Sequence, residues 1–351
     1  MPLNIDQILD AAEQHDASDL FLQEGEVPRI KIKEQILLLG EEPLNLSQLA
    51  ALWQLCGANI QGEMDRDSGL ISHSHVRFRV NLHRTLGRLG AVLRRIKTQM
   101  PSMQSLGLPD WLLTRWASRD FGLVLVTGPT GSGKSTTIAS LLQWMNENMA
   151  RHIVTIEDPV EYIFANRSSH FTQREVGRDT ASFANGLRSA MRQAPDVIFV
   201  GEIRDYETAL TALQASETGH LVLATMHSER VADTMERYLN LFPSEMGANG
   251  NYLLANQLAG VLCQKLLPDA NGGLCLLVEH AENAGAMRDW IRRRELNNIE
   301  QYMARASDPS AVAFLRSAAS ALAAGRITEA TAMSAVNNEA ELRRLMRGIA
   351  G

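Results

Sequence analysis

The run Gly128-Pro129-Thr130-Gly131-Ser132-Gly133-Lys134-Ser135-Thr136 has the G-x-x-x-x-G-K-[ST] spacing of a loop that cradles phosphates. Gly128, Gly131 and Gly133 let the backbone turn its N–H groups inward, and a helix starting directly afterwards adds its positive dipole end. Lys134 supplies a point charge near the β- and γ-phosphates, and the Ser135 hydroxyl is a hard oxygen ligand suited to Mg²⁺. The flanks suit this reading. Leu123-Val124-Leu125-Val126 is long enough only for a buried strand, and Ile138, Leu141 and Leu142 fall on one helical face. A glycine loop that merely turns the chain has no need of both. The expected ligand is a nucleoside triphosphate, ATP with Mg²⁺.

Three more clusters close apolar strands, where open α/β sheets hold their ligands. Thr155-Ile156-Glu157-Asp158-Pro159-Val160-Glu161-Tyr162 ends in carboxylates, and triphosphate hydrolysis needs one to hold Mg²⁺ or orient water. In Val197-Ile198-Phe199-Val200-Gly201-Glu202, the glycine lets the backbone come close to a ligand just before Glu202. The strand after His220 ends in Thr225 and His227. Plainer roles stand beside these. Glu157 or Asp158 could cap a helix, Glu202 could pair only with Arg204 or Arg188, and His227 could be a satisfied loop histidine. With the phosphate loop upstream, Glu202 and Glu157 become the candidate catalytic residues.

A fourth feature lies earlier. From 75 to 84 the chain alternates with period two: Val76, Phe78, Val80 and Leu82 face one way, Arg77, Arg79, Asn81 and His83 the other. It returns through Ala91-Val92-Leu93-Arg94-Arg95-Ile96. Between Ser68 and Pro109 there are six arginines and Lys97 but no acid. Such a strand face can simply be solvated. Uncompensated cations also invite an anion, here a neighbouring subunit's triphosphate.

The elements that must position these residues form two domains. Residues 1–108 read as a small α/β domain: a helix through Ala12 that follows a cap at Asn4, strands at Asp19–Leu22 and Arg29–Lys33, a helix over Leu46–Cys56, then the basic strands. Turn residues around 101–110 mark a linker, followed by a Trp-rich helix at Trp111–Trp116. Over 111–351, strands are expected at Gly122–Val126, Ile153–Ile156, Val197–Val200, Leu221–Ala224 and Cys275–Glu279. Apolar strands between helices imply a mostly parallel sheet covered on both faces. Residues 325–347 read as an Ala-rich helical tail with Thr328 as cap and Arg343, Arg344 and Arg347 near its end.

Composition narrows the class. At 351 residues there is room for two domains. The net charge of −6 and the lack of aromatic-studded basic loops argue against a nucleic-acid motor. Cys56, Cys263 and Cys275 form no C-x-x-C pair and fit a reducing compartment. No apolar run approaches the ~18 residues of a membrane span, and MPLNIDQILD lacks a signal peptide's regions. A cytoplasmic protein is expected.

The motifs GPTGSGKSTT (128–137), TIEDPVEY (155–162), REVGRDT (174–180), PDVIFVGEIRDYETA (195–209) and ETGHLVLATMH (217–227) resemble the secretion ATPase superfamily. They are most similar to its PilT-like retraction ATPases of the type IV pilus. ASDLFL, RFRVN (77–81), GAVLR (90–94), GLPDWL (107–112) and GRITEA (325–330) extend the likeness over nearly the whole chain. The resemblance implies an N-terminal PAS-like α+β domain, a RecA-like P-loop ATPase domain with a C-terminal helical tail, and a homohexameric ring. It implies Walker A roles for Lys134 and Ser135, an acidic-box role for Glu157, the Walker B glutamate at Glu202, and a histidine box at His220 and His227. Arg79 and Arg94 match arginines offered to nucleotide across the interdomain or subunit boundary. Implied partners are an inner-membrane platform protein (PilC-like), through which the ring attaches to the membrane, and a paralogous motor ATPase. The chain lacks the four-cysteine zinc module of assembly and type II secretion ATPases. It also departs from the pattern: Phe21 replaces a histidine, the stretch 33–43 is shortened, Ser228-Glu229-Arg230 follows His227, and Ala286-Met287-Arg288-Asp289-Trp290-Ile291 matches A-I-R-N-L-I only at Ala286, Arg288 and Ile291. A scaffold that binds nucleotide with little turnover is the reading from another class; measured ATP turnover separates them.

Overall fold

A computed structural model describes residues 4–33, 35–74, 76–96, 99–305, 308–336, 339–346 and 348. The chain divides into two compact units, Met1–Thr98 and Gln99–Gly351. Residues 99–108, read from sequence as the end of the small domain and a linker, belong to the larger unit, where Met103 and Leu108 are buried in its core.

The smaller unit contains α1 (Ile5–Gln14), β1 (Asp19–Gln23), β2 (Arg29–Ile32), β3 (Gln35–Leu38), α2 (Leu46–Leu55), β4 (Asp65–Ile71), β5 (Arg77–Thr85) and β6 (Arg88–Arg95). Both helices open on the same reciprocal cap. Asn4 and Asn45 accept from the backbone of Gln7 and Gln48, whose side chains return the bond. Ile5, Ile8, Leu9 and Ala12 of α1 are buried, as their spacing predicts. The strands form one antiparallel sheet in the order β3-β2-β1-β6-β5-β4. β2 and β3 pair antiparallel at one edge, and β3 lies within the stretch 33–43.

The period-two reading of β5 holds, with Phe78, Val80 and Leu82 fully buried. The expectation of uncompensated cations does not. Arg79 and Arg94 lie opposite one another across the β5–β6 ladder, and each meets an acid from another strand. Arg94 Nε is 2.7 Å from Asp19 on β1, Arg79 is 3.9 Å from Asp67 on β4, and Arg95 pairs with Asp16. The acid-free stretch is acid-free along the chain only, because sheet pairing brings the carboxylates in from the flanks. Lys97, His75 and Arg347 lie outside the described residues.

The larger unit contains α3 (Asp110–Ala117), β7 (Gly122–Thr127), α4 (Lys134–Asn148), β8 (His152–Glu157), β9 (His170–Glu175), α5 (Phe183–Ala190), β10 (Val197–Val200), α6 (Tyr206–Glu217), β11 (Leu221–Met226), α7 (Val231–Asn240), α8 (Gly247–Gln257), β12 (Leu258–Pro268), β13 (Leu274–Glu282), α9 (Ala286–Arg293), α10 (Leu296–Arg305), β14 (Ala311–Val312), α11 (Phe314–Ala323), α12 (Glu329–Ala335) and α13 (Glu339–Met346). Its eight-stranded sheet runs β14-β13-β12-β7-β11-β10-β8-β9. The pairs from β12 to β9 are parallel, whereas β13 and β14 join antiparallel at the edge. The strand expected at Cys275–Glu279 is thus part of β13 and runs against the parallel set, because the β12–β13 connection is a short turn with no helix to cross over. Every residue of β7, β10 and β11 is buried. Each fully buried Val or Leu contributes roughly 1.5–3 kcal/mol, so these three strands hold the frame rigid.

The tail begins as predicted at Thr328, whose side chain accepts from Thr331, but it breaks at Val336 into α12 and α13. Each unit holds buried thiols: Cys56 in the smaller, Cys263 and Cys275 in the larger. Among the described residues no helix is long and apolar enough to cross a membrane.

Candidate active site

The phosphate loop joins β7 to α4 as its sequence demands. Gly128, Gly131 and Gly133 all have positive φ (149°, 79° and 87°), and Gly133 sits in the left-handed region as the residue before α4. At Gly128 the constraint is doubled, since a Cβ there would lie 2.5 Å from the backbone oxygen of Gln264 and from Ser132 Oγ. Strand β12 passes that close behind the loop. Gln264 also donates from Nε2 to Thr137 Oγ1 of α4 at 2.7 Å, tying the strand to the helix start. Lys134 Nζ donates to the carbonyls of Gly128 and Pro129 at 2.9 and 3.0 Å. Partial burial pushes its pKa down, opposed by the charges of Glu202 and Glu161.

The loop forms one wall of a cleft of about 470 Å³ at the carboxyl ends of the parallel strands. Thr130, Gly131, Gly133, Lys134, Ser135 and Thr136 line it, facing Glu157, Glu161, Glu202, Arg204, Thr225 and His227. Four of the five motifs shared with the secretion ATPases, all but REVGRDT (174–180), thus reach one cavity.

Glu157 ends β8 and is 7% exposed. Neither it nor Asp158 caps a helix. Its Oε1 accepts from Thr155 Oγ1 at 2.7 Å and from Gln173 Nε2 at 3.3 Å, and its Oε2 accepts from the Glu161 backbone at 3.5 Å. Among the described residues no cation stands close enough to offset desolvation, so burial raises its pKa to about 7 despite those bonds.

Glu202 lies two residues beyond β10 in different company. Arg204 is 2.8 Å from Oε2 and His227 Nε2 is 3.3 Å from Oε1. Arg188 pairs instead with Glu207. His227 Nδ1 is in turn 3.5 Å from Lys134 Nζ. With its proton on Nε2, the imidazole accepts from the ammonium and donates to the carboxylate, satisfying both contacts. The result is a charged chain, Arg204–Glu202–His227–Lys134, spanning the cleft from the β10 end to the phosphate loop.

His220 is elsewhere. It precedes β11, while His227 follows it, so roughly 20 Å of strand separates them. Its Nδ1 lies 2.9 Å from the carbonyl of Ala215 at the end of α6, a helix-end contact outside the cleft.

Sequence reasoning missed the residues that hold the carboxylates. Gln173 sits on β9, whose HFTQRE sequence is too polar to read as a strand, and reaches Glu157 only through β8–β9 pairing. Tyr162 OH, 3.0 Å from Thr136 Oγ1, stood inside the quoted acidic motif but drew no role.

These elements define a P-loop ATPase: a glycine loop and its lysine, a RecA-like parallel sheet, and carboxylates at the strand ends. The family model of the Type II/IV secretion system protein matches residues 65–329. Over 295 residues the chain is 37% identical to the type IV pilus retraction ATPase PilT of Pseudomonas aeruginosa, covering 83% of this chain and 86% of the relative. Over 351 residues it is 31% identical to the type IV pilus ATPase PilU of the same organism, covering 98% and 92%. A crystal structure of the pilus retraction motor PilT with bound ADP matches with a TM-score of 0.89 at 37% identity, covering 98% of this chain and all (100%) of that one. The chain belongs to the type II/IV secretion ATPase family and is a PilT-like ATPase.

Proposed function

We propose that this chain is a hexameric motor whose ATP hydrolysis drives retraction of a type IV pilus, acting in the cytoplasm against an inner-membrane platform protein. The observation that carries the enzymatic part is the single cleft in which Lys134, His227 and Glu202 are linked at 3.5 and 3.3 Å. The loop's backbone N–H groups and Lys134 bind the phosphates. Glu202, oriented by Arg204 and His227, aligns the attacking water, and Glu157, with its pKa near neutrality, takes up or returns a proton at its carboxylate. The donors suit Mg²⁺ carried in with the nucleotide. Ser135 and the two carboxylates are hard oxygen ligands, and among the described residues no cluster of three or more acidic, histidine or cysteine side chains would hold a metal unaided. The ion would be held by Ser135 with Glu157 or Glu202, and would neutralise charge developing on the phosphates.

Arg79 and Arg94 remain candidates for reaching a nucleotide from another domain or subunit. Arg79 keeps only a long contact of 3.9 Å to Asp67, and Arg94, although held at 2.7 Å by Asp19, keeps 72% of its side chain exposed. Hydrolysis would release such contacts and let the units shift, as switch segments do in other triphosphatases.

Turnover of ATP by the purified chain, abolished in Glu202→Gln, tests the enzymatic reading; parental turnover in that variant overturns it. Deleting the gene in a piliated cell tests the direction of work. Excess pili with lost twitching supports retraction, whereas bald cells point to assembly.

A further inference from the structure

Helices α7 and α11 both begin without a cap of their own. Arg230 precedes α7 and Ala313 precedes α11, and neither side chain accepts a bond from the first turn. Exposed N–H groups at a helix start need acceptors. Both helices find one in the same carboxylate. Glu279 of β13 accepts the Val231 N–H on Oε1 at 2.9 Å and the Phe314 N–H on Oε2 at 3.1 Å. It is 3% exposed, so this bridge is inside the protein. Burial pushes the Glu279 pKa up, while the two N–H bonds and the Arg230 charge pull it back.

The two helices serve different regions. Val231 follows His227 by four residues. In the first turn of α7, Thr234 Oγ1 meets Ser228 Oγ at 2.6 Å and Thr127 Oγ1 at 3.1 Å, and Thr127 directly precedes Gly128. Helix α11 lies among the C-terminal helices, its Ala318 and Ala321 sharing a core with Ala332 and Leu342. Arg230 adds a second tie through its ion pair with Glu300 on α10.

We infer that Glu279 is a positioning residue for ATP hydrolysis: its carboxylate fixes the start of α7, and with it His227 beside Glu202, to the start of α11, coupling the C-terminal helices to the phosphate site. The inference rests on the roles proposed above for Glu202 and His227. Glu279 itself does not line the cleft. A side-chain amide offers one carbonyl oxygen, so Glu279→Gln keeps the volume and leaves one buried N–H without its partner.

The test uses the full-length chain in its native assembly and compares the parent with Glu279→Gln, Leu277→Ala and Glu202→Gln. In Glu279→Gln, kcat is expected to fall about tenfold with KM for ATP held within about twofold, because no residue of the phosphate loop is itself changed. Hydrogen exchange should quicken at 231–235 and 314–318 together. ATP should slow exchange at 314–318 in the parent but not in this variant. Leu277→Ala removes apolar volume two residues away on the same strand, and should lower Tm while leaving kcat and the ATP response intact. If Glu279→Gln does not fold, Glu279→Asp, too short to span both helices, carries the same readouts. Parental kcat in the Glu279 variant, or a loss matched by Leu277→Ala at equal Tm, overturns the inference while an inactive Glu202→Gln leaves the site reading standing. Parental turnover in Glu202→Gln overturns both.

Discussion

Two carboxylates end neighbouring strands of one sheet and face one cleft, yet their surroundings differ in kind. Glu157, at the end of β8, is enclosed by neutral donors, and burial lifts it to a pKa of about 7. Glu202, beyond β10, stands between Arg204 and His227. Parallel β8–β10 pairing puts them in one place without making them alike. The difference teaches that position on the sheet selects which residues share the cleft, while the immediate partners decide what each can do. A group poised near neutrality exchanges protons; one held between a guanidinium and an imidazole is fixed in place and orients.

The most damaging change to that contrast is Glu202→Gln, which should cut ATP turnover by about 10²–10⁴-fold with nucleotide binding retained. Equal activity in this variant and the parent would erase the division of labour. Glu157→Gln should cost less, about 10–10²-fold at pH 8, and near pH 6 the two proteins should converge because Glu157 is then already protonated in the parent. A pH–rate profile checks this: the parent's acid limb near pH 7 should vanish in the variant. Stability gives a smaller, independent measure. Raising the folded pKa from 4.5 to about 7 means the native state holds a proton that the unfolded chain releases. Its contribution is therefore full below pH 4.5 and is lost as pH rises through 7. The loss is about 3 kcal/mol at most, and denaturant titrations of Glu157→Gln should lack it. Smallest of all, Thr155→Val removes the donor at 2.7 Å and should move the acid limb upward by less than about one pH unit.

The legible parts of the molecule were those where one local signal suffices. The phosphate loop, the Asn4 cap and Val197–Val200 each carry spacing or composition that has few other meanings, and each stands where it was read. Strands β9, β12 and β14 were not foreseen. β9 is half polar, β12 follows α8 with no intervening turn residues, and β14 is two residues long. What failed systematically was long-range pairing. Asp19 reaches Arg94 across 75 residues and Gln173 reaches Glu157 across 16, and only sheet register brings them together. For the same reason the histidine box split: a strand carries its two ends apart, however close they look in print.

The buried cysteines make the two units separately countable. Cys56 is enclosed in one and its thiol pKa is raised by burial; Cys263, raised to about 12, and Cys275 are enclosed in the other. All three side chains are buried away from reagent, so they should resist alkylation in the native protein. Under rising denaturant, opening of the smaller unit adds one alkyl group to the intact mass and opening of the larger adds two. The order of melting is thereby written into the mass spectrum without any introduced label.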